Sequence, residues 1–422
     1  MLYTKRIDTI TWNDIDDFCR QGNAENTYLD YKQDFPSHLE RTISAMANTL
    51  GGIVLIGVEE DDAKKPKLPL IGIENQRGLS EKVQSIILSN VTPPVFPEIA
   101  VCNNDAQDRS IIVIRIPQSH QSPHAIANNS AVYLRTAEMN KPEELATLDQ
   151  ISWLFDHRAR SITLRNNLLQ CAHNRYLAFY YRILNSVRTT ADISFYQNGF
   201  LTLTACPTFP AHEFKNPSEL AQIYKRISVD DYYRTTEKFP PRDRLSETGR
   251  GSLVQDGIVF ASYVGNERNF HTEMNSKGLY FYRQPISRDN VNINGLSHTF
   301  LLGTEVFARI DEFIDSAYKF FQDLGFWGFI NFTVSLTDIH DLGFWLNWLQ
   351  SDFYDSPRGL SPDDEVNVEN TILVSSLEEE KDRLLFESMQ KLCWTFDIEF
   401  SPDFVAPLYK KLGKVLHEKS EL

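Results

Sequence analysis

The sequence predicts an α+β protein in which two mixed domains are joined by a long helix. Three observations lead to this fold class. The 422 residues make roughly two to three domains of ordinary size. Short β-branched runs alternate with amphipathic helical runs in both halves of the chain. Between the halves, residues 149–188 keep a helical spacing of apolar side chains without any Pro or Gly.

The first domain should hold a mixed sheet. Residues 12–21 place apolar side chains on one side and predict a helix, residues 28–31 a strand, and residues 37–49 a helix that starts at Pro-Ser. The run IVLIGV at 53–58 is typical of a strand buried on both faces, so we expect it near the sheet centre.

The rest of the first domain continues this alternation. Residues 80–90 predict a helix that ends before two prolines. Strands are expected at 98–102, 110–116 and 131–136, and the domain at residues 1–158 then has an ordinary size.

Two further segments follow. Residues 159–190 predict an arginine-rich helical linker, and residues 191–422 predict a second α+β domain whose role, recognition or regulation, stays open. Its expected strands are 192–195, 200–206, 257–263, 278–283 and 328–336, and its expected helices are 218–227, 304–324 and 377–396.

The charge balance limits the ways in which this chain could bind nucleic acid. It has 42 basic and 57 acidic residues, a formal net charge of -15. Phosphate contacts supply much of the affinity for nucleic acid, so a binding surface would have to be a local basic patch. Residues 361–400 alone hold eleven acids and three bases.

Cysteine usage and hydropathy indicate the compartment. The five cysteines form no CxxC pair, which excludes a zinc ribbon and argues against a disulfide framework. No apolar run approaches the roughly 20 residues that span a bilayer. We therefore expect a soluble, cytoplasmic protein without a membrane partner.

Several catalytic motifs are absent from the sequence. It contains no GxxxxGK[ST] loop, no GxGxxG turn between a strand and a helix, no HExxH and no GxSxG. Ordinary nucleotide hydrolysis and serine or cysteine hydrolysis are thereby disfavoured.

A group of acids around the central strand carries more information. Glu25, Asp30 and Lys32 form an E-x4-D-x-K pattern, and Glu59 and Glu60 directly follow the buried strand. Mg²⁺ prefers a few carboxylate oxygens, and such an ion can activate water while Lys32 offers a charge to the same phosphate. The alternative is that these acids are ordinary turn residues, because short acidic motifs often match by chance.

The motifs ENTYLDYKQDF, ISAMANTLGGIVLIGVEED, SPHA and VYLRT occur in this order over about residues 12–158. Together they resemble the Schlafen AlbA-type domain, also described as a divergent AAA-4 DNA-binding domain. In nuclease-active Schlafen proteins, two acids of the first motif and one after GV form a metal-dependent ribonuclease centre that acts on structured RNA such as tRNA.

Carried over by position, this resemblance implies that Glu25, Asp30 and Glu60 are catalytic and bind Mg²⁺ or Mn²⁺. Glu59 is the alternative to Glu60 if the register differs by one residue, and Lys32 matches the family lysine. Asp30 stands where the family usually has Glu, and Glu60 where it usually has Asp. The chain also has one copy of the motif where active vertebrate proteins have two lobes, so a homodimer or the C-terminal domain could complete a groove.

Arginines are the candidate nucleic-acid contacts. Arg135, at the end of a predicted strand, could meet a phosphate or pair with an acid of its own domain. Residues 157–191 contain six arginines and no acid. Interleaved tyrosines could stack bases, although these arginines could instead pair with acidic protein surfaces. The candidates are Arg158, Arg165, Arg175 and Arg182.

The leading hypothesis is a Schlafen-like, divalent-metal-dependent endoribonuclease, with RNA favoured over DNA as its partner. The alternative is a regulatory protein that binds DNA or RNA without cutting it. A weaker alternative is ATP binding, which is disfavoured because the sequence contains no GxxxxGK[ST] phosphate loop. By analogy with the family, a role in antiviral or stress defence is conceivable.

Overall fold

A computed structural model of the chain describes eleven stretches of residues. They are residues 2, 5–104, 106–136, 143–184, 199–210, 213–230, 238–241, 251–262, 270–293, 296–346 and 359–399. The chain forms two compact units, Met1–Leu164 with Gly325–Phe329, and Arg165–Leu324 with Ile330–Leu422. The predicted strand at 192–195 lies outside the described residues.

The first unit contains both helices and short strands, as expected for an α+β domain. Its helices are α1 (Trp12–Arg20), α2 (Leu39–Asn48), α3 (Leu79–Asn90) and the first part of α4 (Leu148–Leu184), with a 3-10 turn at Ile7–Thr9. Its strands are β1 (Leu29–Lys32), β2 (Gly52–Ile56), β3 (Ile73–Glu74), β4 (Val91–Thr92), β5 (Glu98–Asn104), β6 (Arg109–Ile116), β7 (Ala125–Ile126), β8 (Ala131–Arg135) and β9 (Glu143–Leu145).

A five-stranded mixed sheet forms the centre of this unit. β2 pairs in parallel with β1 and antiparallel with β6, which also pairs with β3 and β5. Successive residues of β2 face opposite sides, so Ile53 packs on the side of α1 and Val54 on the side of α2 and α3. The prediction of a central strand buried on both faces is confirmed.

The tight connection from α2 into β2 depends on its glycines. Gly51 has a φ of +71°, and a Cβ there would lie 2.5 Å from the carbonyl oxygen of Ile116. Just before it, the buried Asn48 side chain donates to the carbonyl oxygen of His124 at 2.9 Å and accepts from the N–H of His124 at 2.7 Å. Gly51 thus allows a close approach to the end of β6, and Asn48 connects the end of α2 to the backbone of His124.

The same unit contains a second, four-stranded sheet. Its order is β4-β7-β8-β9, with antiparallel pairs. Val132 and Leu134 of β8 pack with Leu154 of α4. This packing fixes the position of β8, whose last residue is Arg135.

The second unit contains a sheet of seven strands in the order β13-β14-β15-β16-β10-β19-β21, a smaller sheet β17-β18-β20 and the pair β11-β12. Together with the long helix, this confirms the predicted α+β class. The strands are β10 (Phe200–Pro207), β11 (Val229–Asp230), β12 (Lys238–Phe239), β13 (Ser252–Val254), β14 (Gly257–Ser262), β15 (Phe270–Asn275), β16 (Tyr280–Pro285), β17 (Arg288–Ile293), β18 (Leu296–Leu302), β19 (Phe329–Thr337), β20 (Gly343–Trp345) and β21 (Glu365–Leu373). The helices are α5 (Pro217–Arg226), α6 (Gly303–Leu324) and α7 (Lys381–Thr395), with a 3-10 turn at Val374–Ser376.

Helix α4 continues through 37 residues, close to the helical stretch that the sequence predicts. Helix α7 begins later than predicted, at Lys381, because the preceding acids lie in a turn that follows the 3-10 segment. Within the described residues, no helix combines the length and apolar character needed to cross a membrane.

Candidate functional site

Parallel pairing of β1 and β2 brings most of the predicted acids to one edge of the sheet. Asp30 is opposite Val54 and Lys32 is opposite Ile56. Beyond the end of β2, the N–H groups of Gly57 and Val58 donate to the carbonyl oxygen of Lys32 at 2.7 and 3.1 Å. The two acids that follow, at 59 and 60, therefore emerge beside the end of β1.

Glu25 joins this edge from the loop before β1. Its N–H donates to the carbonyl oxygen of Lys64 at 2.8 Å, which ties that loop to the one after β2. Its Oε1 accepts from the N–H of Tyr31 at 2.8 Å, and its side chain is only 8% exposed. The carboxyl group is thus held beside the backbone of β1.

Asp30 is the most deeply buried acid of the site, with no exposed surface. Its Oδ1 accepts from Nζ of Lys32 at 2.6 Å, and its Oδ2 lies 3.8 Å from Nη1 of Arg135. A buried carboxylate with two cationic partners is stabilised in its ionised form.

Glu25 and Asp30 form a coupled pair of carboxyl groups. Burial and the adjacent Asp30 raise the pKa of Glu25 to about 8. Burial also opposes ionisation of Asp30, but the hydrogen bond from Glu25 and the charges of Lys32 and Arg135 outweigh it and lower the pKa of Asp30. The two shifts together favour the proton on Glu25 and the negative charge on Asp30.

Glu60 reaches the same region through Lys64. Nζ of Lys64 donates to Oε1 of Glu60 and lies 3.9 Å from Oε2 of Glu25. The hydrogen bond to Glu60 is the main reason that the pKa of Lys64 is raised, and the charges of Glu25 and Asp30 raise it further. All three predicted acids therefore act on this one ammonium group.

Glu59 has a different partner. Its Oε1 accepts from Nζ of Lys67 at 2.5 Å on the other side of the same loop. Of the two acids after the GV motif, Glu60 is thus the one that shares a partner with Glu25.

The acids of this site have the donor chemistry that Mg²⁺ or Mn²⁺ prefers. Oδ2 of Asp30 and Oε2 of Glu60 are both buried and accept no hydrogen bond from the described residues. As they stand, however, no three or more His, Cys, Asp or Glu side chains in the described part of the chain are arranged to hold a metal ion. Lys64 lies between Glu25 and Glu60, so the acids would have to close around an ion that takes its place.

Arg135 is buried and contacts Asp30 of this site. Its side chain is 1% exposed, and its guanidinium lies 3.3 Å from Glu143 and 3.1 Å from the carbonyl oxygen of Asn26, besides Asp30. In this conformation Arg135 pairs with acids of its own domain, the second of the two roles considered from the sequence.

The arginines of α4 differ from one another in their surroundings. Arg158 is exposed, whereas Arg165 lies 3.5 Å from Glu369. Arg175 donates twice to the fully buried carboxylate of Glu273. The side chain of Arg182 lies outside the described residues. Arg158 thus keeps a solvent-facing guanidinium, and Arg165 and Arg175 are engaged by acids of the second unit.

Sequence reasoning missed Lys64. Its signal was weak, since it is one of three lysines in a short charged loop, and only the fold shows that this lysine turns toward Glu25. Missed as well was the buried Glu273, which gives Arg175 a structural role in the second unit.

Comparison with known proteins assigns a domain family to residues 25–144. Residues 25–144 match the family model described as Schlafen, AlbA_2, so this part of the chain is a Schlafen AlbA_2 domain. A solution NMR structure of the N-terminal domain of a RecG-related protein from Nitrosomonas europaea aligns with 33% of this chain and 95% of its own, at 15% identity and a TM-score of 0.26. The curated proteins give no significant match.

Proposed function

We propose that the AlbA_2 domain binds nucleic acid and cuts its phosphodiester backbone with the help of a divalent metal ion, structured RNA such as tRNA being the first substrate class. The observation that supports this most is the position of Lys64 between Glu25 and Glu60, with Asp30 electrostatically coupled to Glu25. The three acids are at the positions that hold the metal in the nuclease-active Schlafen proteins that the motifs resemble.

Each side chain has a distinct task in this proposal. Glu25, Asp30 and Glu60 would hold Mg²⁺ or Mn²⁺, and the bound ion supplies activation of water and neutralisation of charge at the phosphate. Lys32 is 29% exposed and can donate to a phosphate oxygen while Asp30 keeps its ammonium in place. Arg135 positions Asp30 from the side away from solvent.

The substrate class and the metal dependence can be tested together. Purified full-length protein is incubated with total RNA and with plasmid DNA, in Mn²⁺ or in EDTA. We expect cleavage of RNA in Mn²⁺ alone, and a rate lower by about a hundredfold or more in Glu60→Gln. Glu74→Gln, which changes an exposed acid of the same unit, is the matched control and should cut at the wild-type rate.

Cleavage that persists in EDTA, or a Glu60→Gln variant that cuts as fast as wild type, would contradict a metal-dependent centre at these acids. Cleavage of plasmid DNA in place of RNA would retain the site but change the substrate class.

A second candidate function is binding of nucleic acid without cleavage. It is favoured by the two lysines that already neutralise the acids, Lys32 at Asp30 and Lys64 at Glu60. In this case binding should persist in EDTA and fall steeply with salt, while neither RNA nor DNA is cut in Mn²⁺. Fluorescence anisotropy with labelled RNA, run beside the cleavage assay, separates the two functions.

A further inference from the structure

Lys64 is presented to the acids by a tightly fixed loop between Glu59 and Lys67. The N–H of Lys67 donates to the carbonyl oxygen of Glu59 at 2.8 Å. Oδ1 of Asp61 accepts from the N–H groups of Ala63 and Lys65, both at 2.9 Å. Lys64 itself has a φ of 60°, a left-handed conformation that is unfavourable for a residue with a Cβ.

The backbone of Lys64 is also fixed to the site directly. Its carbonyl oxygen accepts from the N–H of Glu25. Only the side chain is therefore free to change position, and it is 29% exposed on the solvent side. A flexible four-carbon stem can move an ammonium group from the acids into water without any change in the loop.

The ammonium group of Lys64 lies where neighbouring carboxyl groups attract a cation. It bonds to Glu60 and lies 3.9 Å from Glu25, and the charge of Asp30 acts on it as well. A divalent ion at the same place would attract the same oxygens of Glu25 and Glu60, and the buried Oε2 of Glu60, which accepts no hydrogen bond from the described residues, offers it a further ligand.

We propose that Lys64 is the internal counter-cation of the carboxylate site, which a divalent metal ion must displace from between Glu25 and Glu60 before it can bind. This inference rests on the proposed function, because it assumes that these acids are the metal ligands. Lys64 is then a positioning residue: it keeps the metal-free acids together and sets how tightly the site binds the ion.

A role for Lys64 as a direct phosphate ligand is the main alternative. In that role the lysine would bind nucleic acid together with the metal, and removing it would weaken RNA binding without strengthening metal binding. If Lys64 is the counter-cation, removing its charge should instead strengthen metal binding, because the metal ion no longer competes with the ammonium group for the acids.

The test is a titration of the full-length protein with Mn²⁺ alone, in which free Mn²⁺ is measured by electron paramagnetic resonance. Lys64→Met keeps the length of the side chain and removes its charge. We expect it to bind Mn²⁺ about tenfold more tightly than wild type. Lys67→Met, which removes the lysine paired with Glu59 in the same loop, is the matched control and should bind as wild type does.

Glu60→Gln, made in the wild-type and Lys64→Met backgrounds, distinguishes the two levels of the proposal. If Lys64→Met binds Mn²⁺ more tightly and Glu60→Gln abolishes the gain, the counter-cation role is supported. If wild type and Lys64→Met bind equally and Glu60→Gln reduces both, the metal site stands and the role of Lys64 is refuted. If none of these proteins binds Mn²⁺ at this site, both the inference and the proposed function are overturned.

Discussion

At the scale of single residues, the site is organised by one very unequal pair of acids. Asp30 is ionised, fully buried and held by Lys32 and Arg135, whereas Glu25 keeps a proton until the pH reaches about 8. Two carboxyl groups in contact cannot both ionise readily, so the better-paired one takes the charge. Glu60 is half-buried, and its partner Lys64 is also partly exposed to solvent. The Glu60 side chain is therefore less constrained than those of Asp30 and Glu25.

These differences predict different costs of mutation. Asp30→Asn removes the shared partner of two cations, one of which is almost fully buried, and should reduce the free energy of unfolding by about 3–5 kcal/mol. Glu60→Gln removes a partly exposed ion pair and should cost less than about 1 kcal/mol. Urea unfolding of both variants checks this. Equal costs would contradict the burial assigned to Asp30.

The raised pKa of Glu25 predicts a dependence of stability on pH. The folded protein keeps this proton up to a pH of about 8, whereas an exposed glutamate loses it near its ordinary value of 4.5. Stability from this group is therefore fully present below pH 4.5 and is lost as the pH rises through about 8. The loss should be on the order of a few kcal/mol, because each pH unit in this window is worth about 1.4 kcal/mol.

Urea unfolding in EDTA, at pH values from about 5 to 8, measures this effect. The first unit of the wild-type protein should become less stable across the range. Glu25→Gln, which cannot ionise, should show a clearly smaller change. An identical pH profile for the two proteins would mean that Glu25 titrates normally.

At the scale of elements, the sequence predicted the part of the site that strand geometry controls. The apolar run after Gly-Gly is typical of a buried strand, and the two acids that follow it lie at the end of that strand. The E-x4-D-x-K spacing placed Asp30 and Lys32 on one strand. Asp30 and Lys32 are brought to the acids after β2 by the parallel pairing of β1 with β2. These strands are separated in the sequence by α2, and hydrophobic periodicity does not show that they pair.

The geometry of the loop after β2 could not be predicted either, because it also depends on tertiary contacts. The direction of Lys64 depends on its left-handed φ and on the hydrogen bond from Glu25, and neither leaves a pattern in the sequence. Arg135 was predicted at a strand end, but its burial among Asp30, Glu143 and the carbonyl oxygen of Asn26 depends on tertiary packing. The sequence therefore specified the acids of the site more fully than their cationic partners.

Helix α4 makes a separate contribution that can be measured. Arg158 and Arg160 are exposed on its first part, whereas Arg175 is bound to a buried acid. If the exposed arginines contact phosphates, Arg158→Glu should weaken RNA binding several-fold and lower the salt slope of the binding constant by about 1 or more.

The control for this variant is Lys225→Glu, which makes the same change of net charge on α5 and should leave both quantities unaltered. Fluorescence anisotropy between low and moderate salt gives the slopes. Equal weakening by both variants would show that overall charge, and not a contact of α4, controls binding.

At the scale of the whole molecule, two features stand out. The chain carries a net charge of -15, which disfavours nucleic acid over most of its surface and makes a local contact region necessary. The described residues of the second unit include a seven-stranded sheet, and the buried carboxylate of Glu273 on its strand β15 is paired with Arg175 of α4. All of the acids in the catalytic hypothesis belong to the first unit.

The most direct test of that hypothesis is cleavage of a 5′-labelled tRNA by the full-length protein in Mn²⁺, with wild type compared with Glu59→Gln and Glu60→Gln. We expect specific cleavage by wild type and Glu59→Gln, and loss of cleavage in Glu60→Gln with an unchanged circular dichroism spectrum. A tRNA that stays intact with wild type, or that Glu60→Gln cuts at the wild-type rate, would contradict a nuclease centre built from Glu25, Asp30 and Glu60.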